Sequence, residues 1–313
     1  MSNFSQFGEY YLEFHKAIDD SQIGKLLQGS IDTHVHFAPQ PGLSRRYNAI
    51  ETVLIAREAG IRGIVLKNHT YPTGALAQLV SELVPGIEVF GSVCLEYSVG
   101  GLNPHVVATE AELGAKIVWM PVFCSINSIN IIRKRLGLNL PKEGISLLDG
   151  NGKIVPEVDE VLRVIVDYNM VLATGHISAR EIIALVERAK QVGVKKIVIT
   201  HPTIDFVSET ILTQEERHML VKEGVFIEYC AWEVWPNAGL VGRVVDPTKI
   251  VEAIKSDGPQ NCIMSTDAGA GQYPNLVEGM RMFIATMLKY GLSEEEITCM
   301  VKQNPARLLG LSE

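Results

Sequence analysis

Eight short apolar, β-branched runs recur along this chain: "IDTHVHF", "IRGIVLKNH", "IEVFGSVCLEY", "AKIVWMPVF", "MVLATGH", "KKIVITHP", "VFIEYCAW" and "NCIMSTDAG". They are almost continuously hydrophobic, as strands buried on both faces are. Between most of them lies an amphipathic stretch with recognisable helix ends. Ser178, Thr213 and Ser293 each have a glutamate three residues on (Glu181, Glu216 and Glu296), the spacing of a capping box. Asp246 before Pro247 and Asn304 before Pro305 read as caps followed by a first-turn proline. Gly60, Gly114, Gly193 and Gly224 stand where helices should turn back toward the next strand. Eight strand–helix units with no separate run of strands specify an α/β fold, a parallel (β/α)8 TIM barrel. A doubly wound open sheet is the rival architecture, but no GxGxxG turn follows the first strand.

A barrel of this kind accounts for residues 1–313 as a single domain. Residues 1–30 read as a helical lead-in that covers the barrel's bottom or meets a neighbouring copy, which leaves a homo-oligomer open. The interval after the fourth strand, about residues 125–156, is longer than the others and reads as an insertion, with "DGNG" as a hairpin turn. A 47% hydrophobic composition supplies an ample core. The formal charge of -8 argues against nucleic-acid or anionic-membrane partners and leaves a small-molecule substrate. No secretory signal opens the sequence, and its apolar runs fall short of a membrane span. The five scattered cysteines lack CxxC spacing, which fits a reduced, cytoplasmic setting and speaks against a thiolate zinc site.

Active sites of such barrels lie at the C-terminal ends of the strands. Those ends carry His34 and His36 on the first strand, and Lys67, Asn68 and His69 on the second. The fifth brings His176, the sixth His201 and the eighth Asp267. Within the first strand, strict alternation would put Asp32, His34 and His36 on one face and Ile31, Thr33, Val35 and Phe37 on the other. A single histidine at a strand end is ordinarily a hydrogen-bonded core residue. Four histidines and a carboxylate on one rim are the residue types that bind first-row divalent metals, with positions left open for water.

This set resembles the amidohydrolase superfamily of metal-dependent hydrolases: HxH on the first strand, single histidines after the fifth and sixth, and an aspartate after the eighth. The closing "NPARLLGL" is also similar to that superfamily. The resemblance implies that His34, His36, His176, His201 and Asp267 hold one or two divalent cations. Zinc is the first expectation, with Mn2+, Fe2+, Ni2+ and Co2+ compatible. It further implies that Asp267 shuttles a proton during hydrolysis of an amide, lactone or ester bond. The flanking β-sandwich of many relatives is not expected, because both termini read as helical.

One departure from the superfamily concerns the bridging ligand, often a carboxylated lysine or a glutamate from the fourth strand. Here that strand offers only Trp119, Met120 and Cys124 near its top, and Lys67 on the second strand is the substitute. Lys67 bridges as a carbamate or binds the substrate's anionic group as a cation. The loops after the strands add Arg45, His69, Tyr71 and Tyr229 as candidate substrate-binding residues, with Arg45 suited to a carboxylate or phosphate. Trp232 and Trp235 suit a lid, a subunit contact or plain packing. A decarboxylating lyase on the same metal site, a phosphoester hydrolase and a metal-holding barrel without turnover are the competing readings.

Overall fold

The computed structural model describes residues 22–203, 212–235 and 245–312. A short helix α1 (Gln22–Leu27) leads into β1 (Ile31–His36), and the first 21 residues of the expected lead-in lie outside the described residues. Then come α2 (Ala49–Glu58), β2 (Gly63–Lys67), α3 (Gly74–Leu83), and a third stave split at Gly91 into β3 (Glu88–Phe90) and β4 (Ser92–Cys94). Helix α4 (Pro104–Glu112) and β5 (Ile117–Trp119) follow. The long interval after β5 holds α5 (Ile129–Leu136) and a turn in which Leu148 and Ile154 pair antiparallel around "DGNG". Helix α6 (Pro156–Asp167), β6 (Val171–Ala173), α7 (Ala179–Val192), β7 (Lys196–Ile199) and α8 (Gln214–Lys222) continue the alternation. The chain ends with β8 (Phe226–Cys230), α9 (Pro247–Asp257), β9 (Cys262–Ser265), α10 (Leu276–Lys289), α11 (Glu294–Thr298) and α12 (Asn304–Leu309).

All strand pairs are parallel, in the order β1-β2-β3 and β4-β5-β6-β7-β8-β9. The first and last strands meet through two backbone hydrogen bonds, Asp267 N–H to the His34 carbonyl (2.9 Å) and His36 N–H to the Ala268 carbonyl (2.8 Å). Asp32 strengthens this seam by accepting from the Thr266 hydroxyl at 2.6 Å and from its N–H at 3.1 Å. The arrangement is the TIM barrel that the strand–helix rhythm predicts. No helix among the described residues is long and apolar enough to cross a membrane.

Two apolar layers follow from the period-2 geometry of strands. Val65, Ile117, Trp119, Val171, Ala173, Val198, Phe226 and Ile263 pack inside the barrel. Ala306, Leu308 and Leu309 join that interior cluster, so the "NPARLLGL" helix closes the bottom. Ile64, Leu66, Val118, Leu172, Ile197, Ile227 and Met264 face outward, under the helices.

The three predicted capping boxes and the Asp246 cap are present. Gly60, Gly114, Gly193 and Gly224 all have positive φ. Asn304 is different: it lies inside a continuous helix, joined to α11 by a π-helical segment (Cys299–Gln303). Its buried amide donates to the carbonyls of Pro259 and Cys262 at 2.8 and 2.6 Å.

The first strand also departs from strict alternation. Its register shifts between Asp32 and Val35, so Ile31 packs inside the barrel while Val35 and Phe37 pack outside. The extra residue of a bulge changes which face the later side chains take.

Candidate metal centre

At the top of β1, the imidazoles of His34 and His36 turn into the barrel and converge on one carboxylate. Asp267 Oδ1 is 3.1 Å from His34 Nε2 and 3.0 Å from His36 Nε2. Burial alone would raise the Asp267 pKa, but the neighbouring His34 holds it well below the usual carboxylate range. The second nitrogen of each ring is already committed. His34 Nδ1 faces both Glu228 oxygens at 3.2 Å, and His36 Nδ1 faces the Lys67 carbonyl at 3.0 Å. A carbonyl only accepts, so His36 carries its proton on Nδ1 and presents a lone pair from Nε2. Burial, reinforced by nearby Arg45, pushes the His36 pKa well below 6.5, so the ring is neutral.

The contact between His36 Nε2 and Asp267 Oδ1 therefore joins two acceptors with no proton to share. A cation is what such a pair lacks, and imidazole nitrogens with a carboxylate suit a first-row divalent metal. His34 Nε2, His36 Nε2 and the Asp267 carboxylate form one group compact enough to hold a metal ion. A second pair lies close by: His176 Nε2 and His201 Nε2 are 3.3 Å apart, and the His201 ring stacks 6.1 Å from that of His34. Burial lowers both pKa values, that of His201 to about 4, so both rings are neutral donors for a cation.

Local backbone geometry explains how distant strands deliver these groups. Thr174 and Thr200 cross-link the ends of β6 and β7: Thr200 N–H donates to Thr174 Oγ1 at 3.0 Å, and Gly175 N–H to Thr200 Oγ1 at 3.1 Å. Gly175 has φ +61°, and a Cβ there would sit 2.3 Å from the Met120 carbonyl oxygen, so only glycine lets His176 turn inward. His201 (φ 22°) and Asp267 (φ 51°) occupy left-handed backbone that non-glycine residues seldom adopt. Such conformations cost about 1–3 kcal/mol each and collect at functional sites.

Lys67 lies between the two groups, 1% exposed, with Nζ 2.9 Å from His34 Nε2 and 3.9 Å above the Trp119 ring. Trp119 forms the floor under Lys67 and His34. Above the floor a cleft of about 680 Å³, mouth included, is lined by His36, Arg45, Lys67, His69, His176 and Asp267. Phe123, Trp232 and Tyr273 add apolar walls. Burial lowers the Arg45 pKa to about 10, which leaves it cationic, and Gln40 Oε1 accepts from its Nε at 2.8 Å. His69 stacks on Phe123 at 3.8 Å.

Two expected substrate contacts fall elsewhere. Tyr229 is 0% exposed, faces outward under the helices and donates its hydroxyl to Asp257 Oδ2 at 2.6 Å. Its neighbour Glu228 takes the inward position, because successive strand residues face opposite ways. Tyr71 spends its hydroxyl on the Pro39 carbonyl (2.7 Å), packs edge-on against Phe37 and lies outside the cleft. Trp235 is buried, with its ring filling the space beside Gly279. Glu228 is a neighbour of the candidate ligands to which nothing in the sequence gives a role, because the apolar pattern of a strand buried on both faces does not say which side chains turn inward. The sequence likewise gives no role to Glu96: its buried carboxylate accepts the N–H groups of Val122, Phe123 and Cys124 at 2.7–3.0 Å and so places Phe123.

Fold and site together define a TIM barrel with a candidate metal centre at the C-terminal ends of its strands. The chain belongs to the family of unknown function DUF6282, whose match spans residues 29–228. No curated protein matches the chain by sequence. Its fold is similar to that of an amidohydrolase from Pseudomonas aeruginosa (TM-score 0.59, 12% identity, 92% of this chain and 98% of that one). A putative 2-pyrone-4,6-dicarboxylic acid hydrolase from Pseudomonas putida is also similar (0.54, 17%, 90% and 97%). So is a probable dipeptidase from Pseudomonas aeruginosa (0.63, 11%, 95% and 98%).

Proposed function

We propose that the protein is a divalent-metal-dependent hydrolase that cleaves a carboxamide, ester or lactone bond in a small anionic molecule. The observation that carries this reading is the proton-free contact between His36 Nε2 and Asp267 Oδ1 at 3.0 Å, with His36 Nδ1 already committed. His34, His36 and Asp267 would hold one cation, and His176 and His201 a second. When bound, such a cation supplies Lewis acidity at the scissile carbonyl and lowers the pKa of water toward about 7.

The chain's own residues do the rest. Asp267, kept ionised by its neighbour His34, takes the proton of the attacking water and returns it to the departing nitrogen or oxygen. The hydroxyl joins the acyl carbon, and the products are an acid and an amine or alcohol. Arg45 grips the substrate's anionic group from the side of the cleft, and Trp119, Phe123 and Trp232 keep bulk water from the reacting carbonyl.

Lys67 Nζ lies 2.9 Å from His34 Nε2, within reach of a cation held there. Carboxylation of that amine by CO2, with release of a proton, gives an anionic carbamate suited to bridge two cations. Zinc is the metal we favour.

The test is metal analysis of the purified protein, with assays on N-acyl amino acids, lactones and phosphoesters before and after chelation. We expect metal uptake, hydrolysis lost on chelation, and Asp267→Asn slower by about 10²–10⁴-fold. A protein that takes up no divalent metal, or releases CO2 from carboxylic acids without hydrolysing any of the panel, overturns the reading.

A further inference from the structure

Beside the cleft lies a second chamber of about 860 Å³, mouth included. The loop after β1 supplies Gln40 to its wall, the turn after β4 supplies Tyr97 and Ser98, and the long insertion supplies Leu138 and Leu140. His69 and Phe123 line both spaces, so this stacked ring pair is the partition between them. The chamber therefore adjoins the cleft of the candidate centre across that ring pair.

Its chemistry differs from that of the cleft. Among the described residues no lysine or arginine lines it, and the one carboxylate there, Glu96, is consumed by three backbone N–H groups. What remains is largely apolar, with Gln40 Nε2 and His69 Nδ1 as buried polar atoms whose partners are not among the described residues. Gln40 is 6% exposed, and Arg45 Nε donates to its Oε1, which fixes the amide so that Nε2 points a donor away from Arg45. That Nε2 has no hydrogen-bond partner among the described residues. Gln40 thus links Arg45 in the cleft to the chamber wall.

We propose that the chamber is a substrate subsite for an elongated, uncharged, largely apolar acyl or aryl substituent, whose anionic end meets Arg45 in the cleft. This rests on the hydrolase reading for what occupies the cleft and adds the substrate's second half. The protein's substrates are then amphiphilic, with one carboxylate and a long tail, and its insertion after β5 sets the tail length.

The test titrates the full-length protein, metal-loaded and metal-free, with straight-chain carboxylates from acetate to decanoate by calorimetry. We expect affinity to rise about 4-fold per methylene once the tail passes Phe123, since each buried methylene contributes that much. Ser98→Trp, which fills the chamber from its exposed rim, and Leu138→Asp, which charges it, should flatten the rise and leave acetate binding unchanged. Affinity independent of chain length in both metal states overturns the proposal, as does a rise that both variants keep. Either result leaves the hydrolase reading intact, since that reading is decided by metal uptake and turnover.

Discussion

Glu228 and Tyr229 are adjacent in the chain and face opposite ways. Glu228 turns into the barrel, where Ser265 donates to it at 2.7 Å and its two oxygens hold His34 Nδ1. Burial opposes its charge, but His34 holds its pKa below the usual glutamate value, so it is a fixed anion behind a candidate ligand. A carboxylate in that place fixes the imidazole's tautomer and orientation and raises its basicity. Glu228→Gln should therefore weaken divalent-metal binding by about 10–100-fold, read by competition with a chromogenic chelator, with the circular dichroism spectrum unchanged. Unaltered affinity would make Glu228 a packing residue. Tyr229→Phe should do the reverse. It removes a bond to the buried Asp257 carboxylate, so urea denaturation should show a loss of about 1–3 kcal/mol while kcat/KM stays within about twofold. These two residues also mark what the sequence could not convey. In a strand buried on both faces, apolar side chains point both ways, and the hydrophobic pattern alone does not say which parity faces the barrel interior. The ligand types were legible because histidine and aspartate stand out at the ends of apolar runs. Arg45 and His69 were legible from their place just after such ends, and both line the cleft.

At the scale of single elements, the strand–helix alternation and helix caps could be read because they depend on near neighbours in the chain. The β1 bulge could not, since its register is set by pairing with β2. The π-helical join ahead of Asn304 is likewise fixed from outside, by the carbonyls of Pro259 and Cys262 that the asparagine amide satisfies. The end of β6 gives a direct test of how strongly one element constrains a candidate ligand. Gly175 combines left-handed backbone with a neighbour, the Met120 carbonyl, already in the space a Cβ would need. Gly175→Ala should cost about 2–5 kcal/mol, from the backbone penalty and overpacking together, and should also displace His176. Gly193→Ala is the control. Its φ of 105° is equally unsuited to alanine, but nothing lies within 4 Å of the added Cβ, so it should cost only about 1–2 kcal/mol. Equal losses in chemical denaturation would mean that close packing at Gly175 contributes nothing.

Over the whole molecule, the candidate centre coincides with the seam where the barrel closes. His34 and His36 belong to the first strand and Asp267 follows the last, and the strands join there by the His34–Asp267 and His36–Ala268 backbone bonds. A cation shared by those side chains would tie the two ends of the sheet together. Its free energy of binding would then appear as stability of the fold, by RT ln(1 + [L]/Kd), or about 2.7 kcal/mol at a hundred times Kd. Chelation should therefore lower the melting temperature by several degrees. More specifically, it should speed hydrogen exchange at the amides of His36 and Asp267, while the amide of Val118, in the middle of β5 on the far wall, keeps its protection. A uniform increase along all strands would mean that the cation stabilises the barrel only globally. Exchange unchanged everywhere, with metal content shown to fall, would mean that the seam holds without it and that His34, His36 and Asp267 bear the cation for chemistry alone.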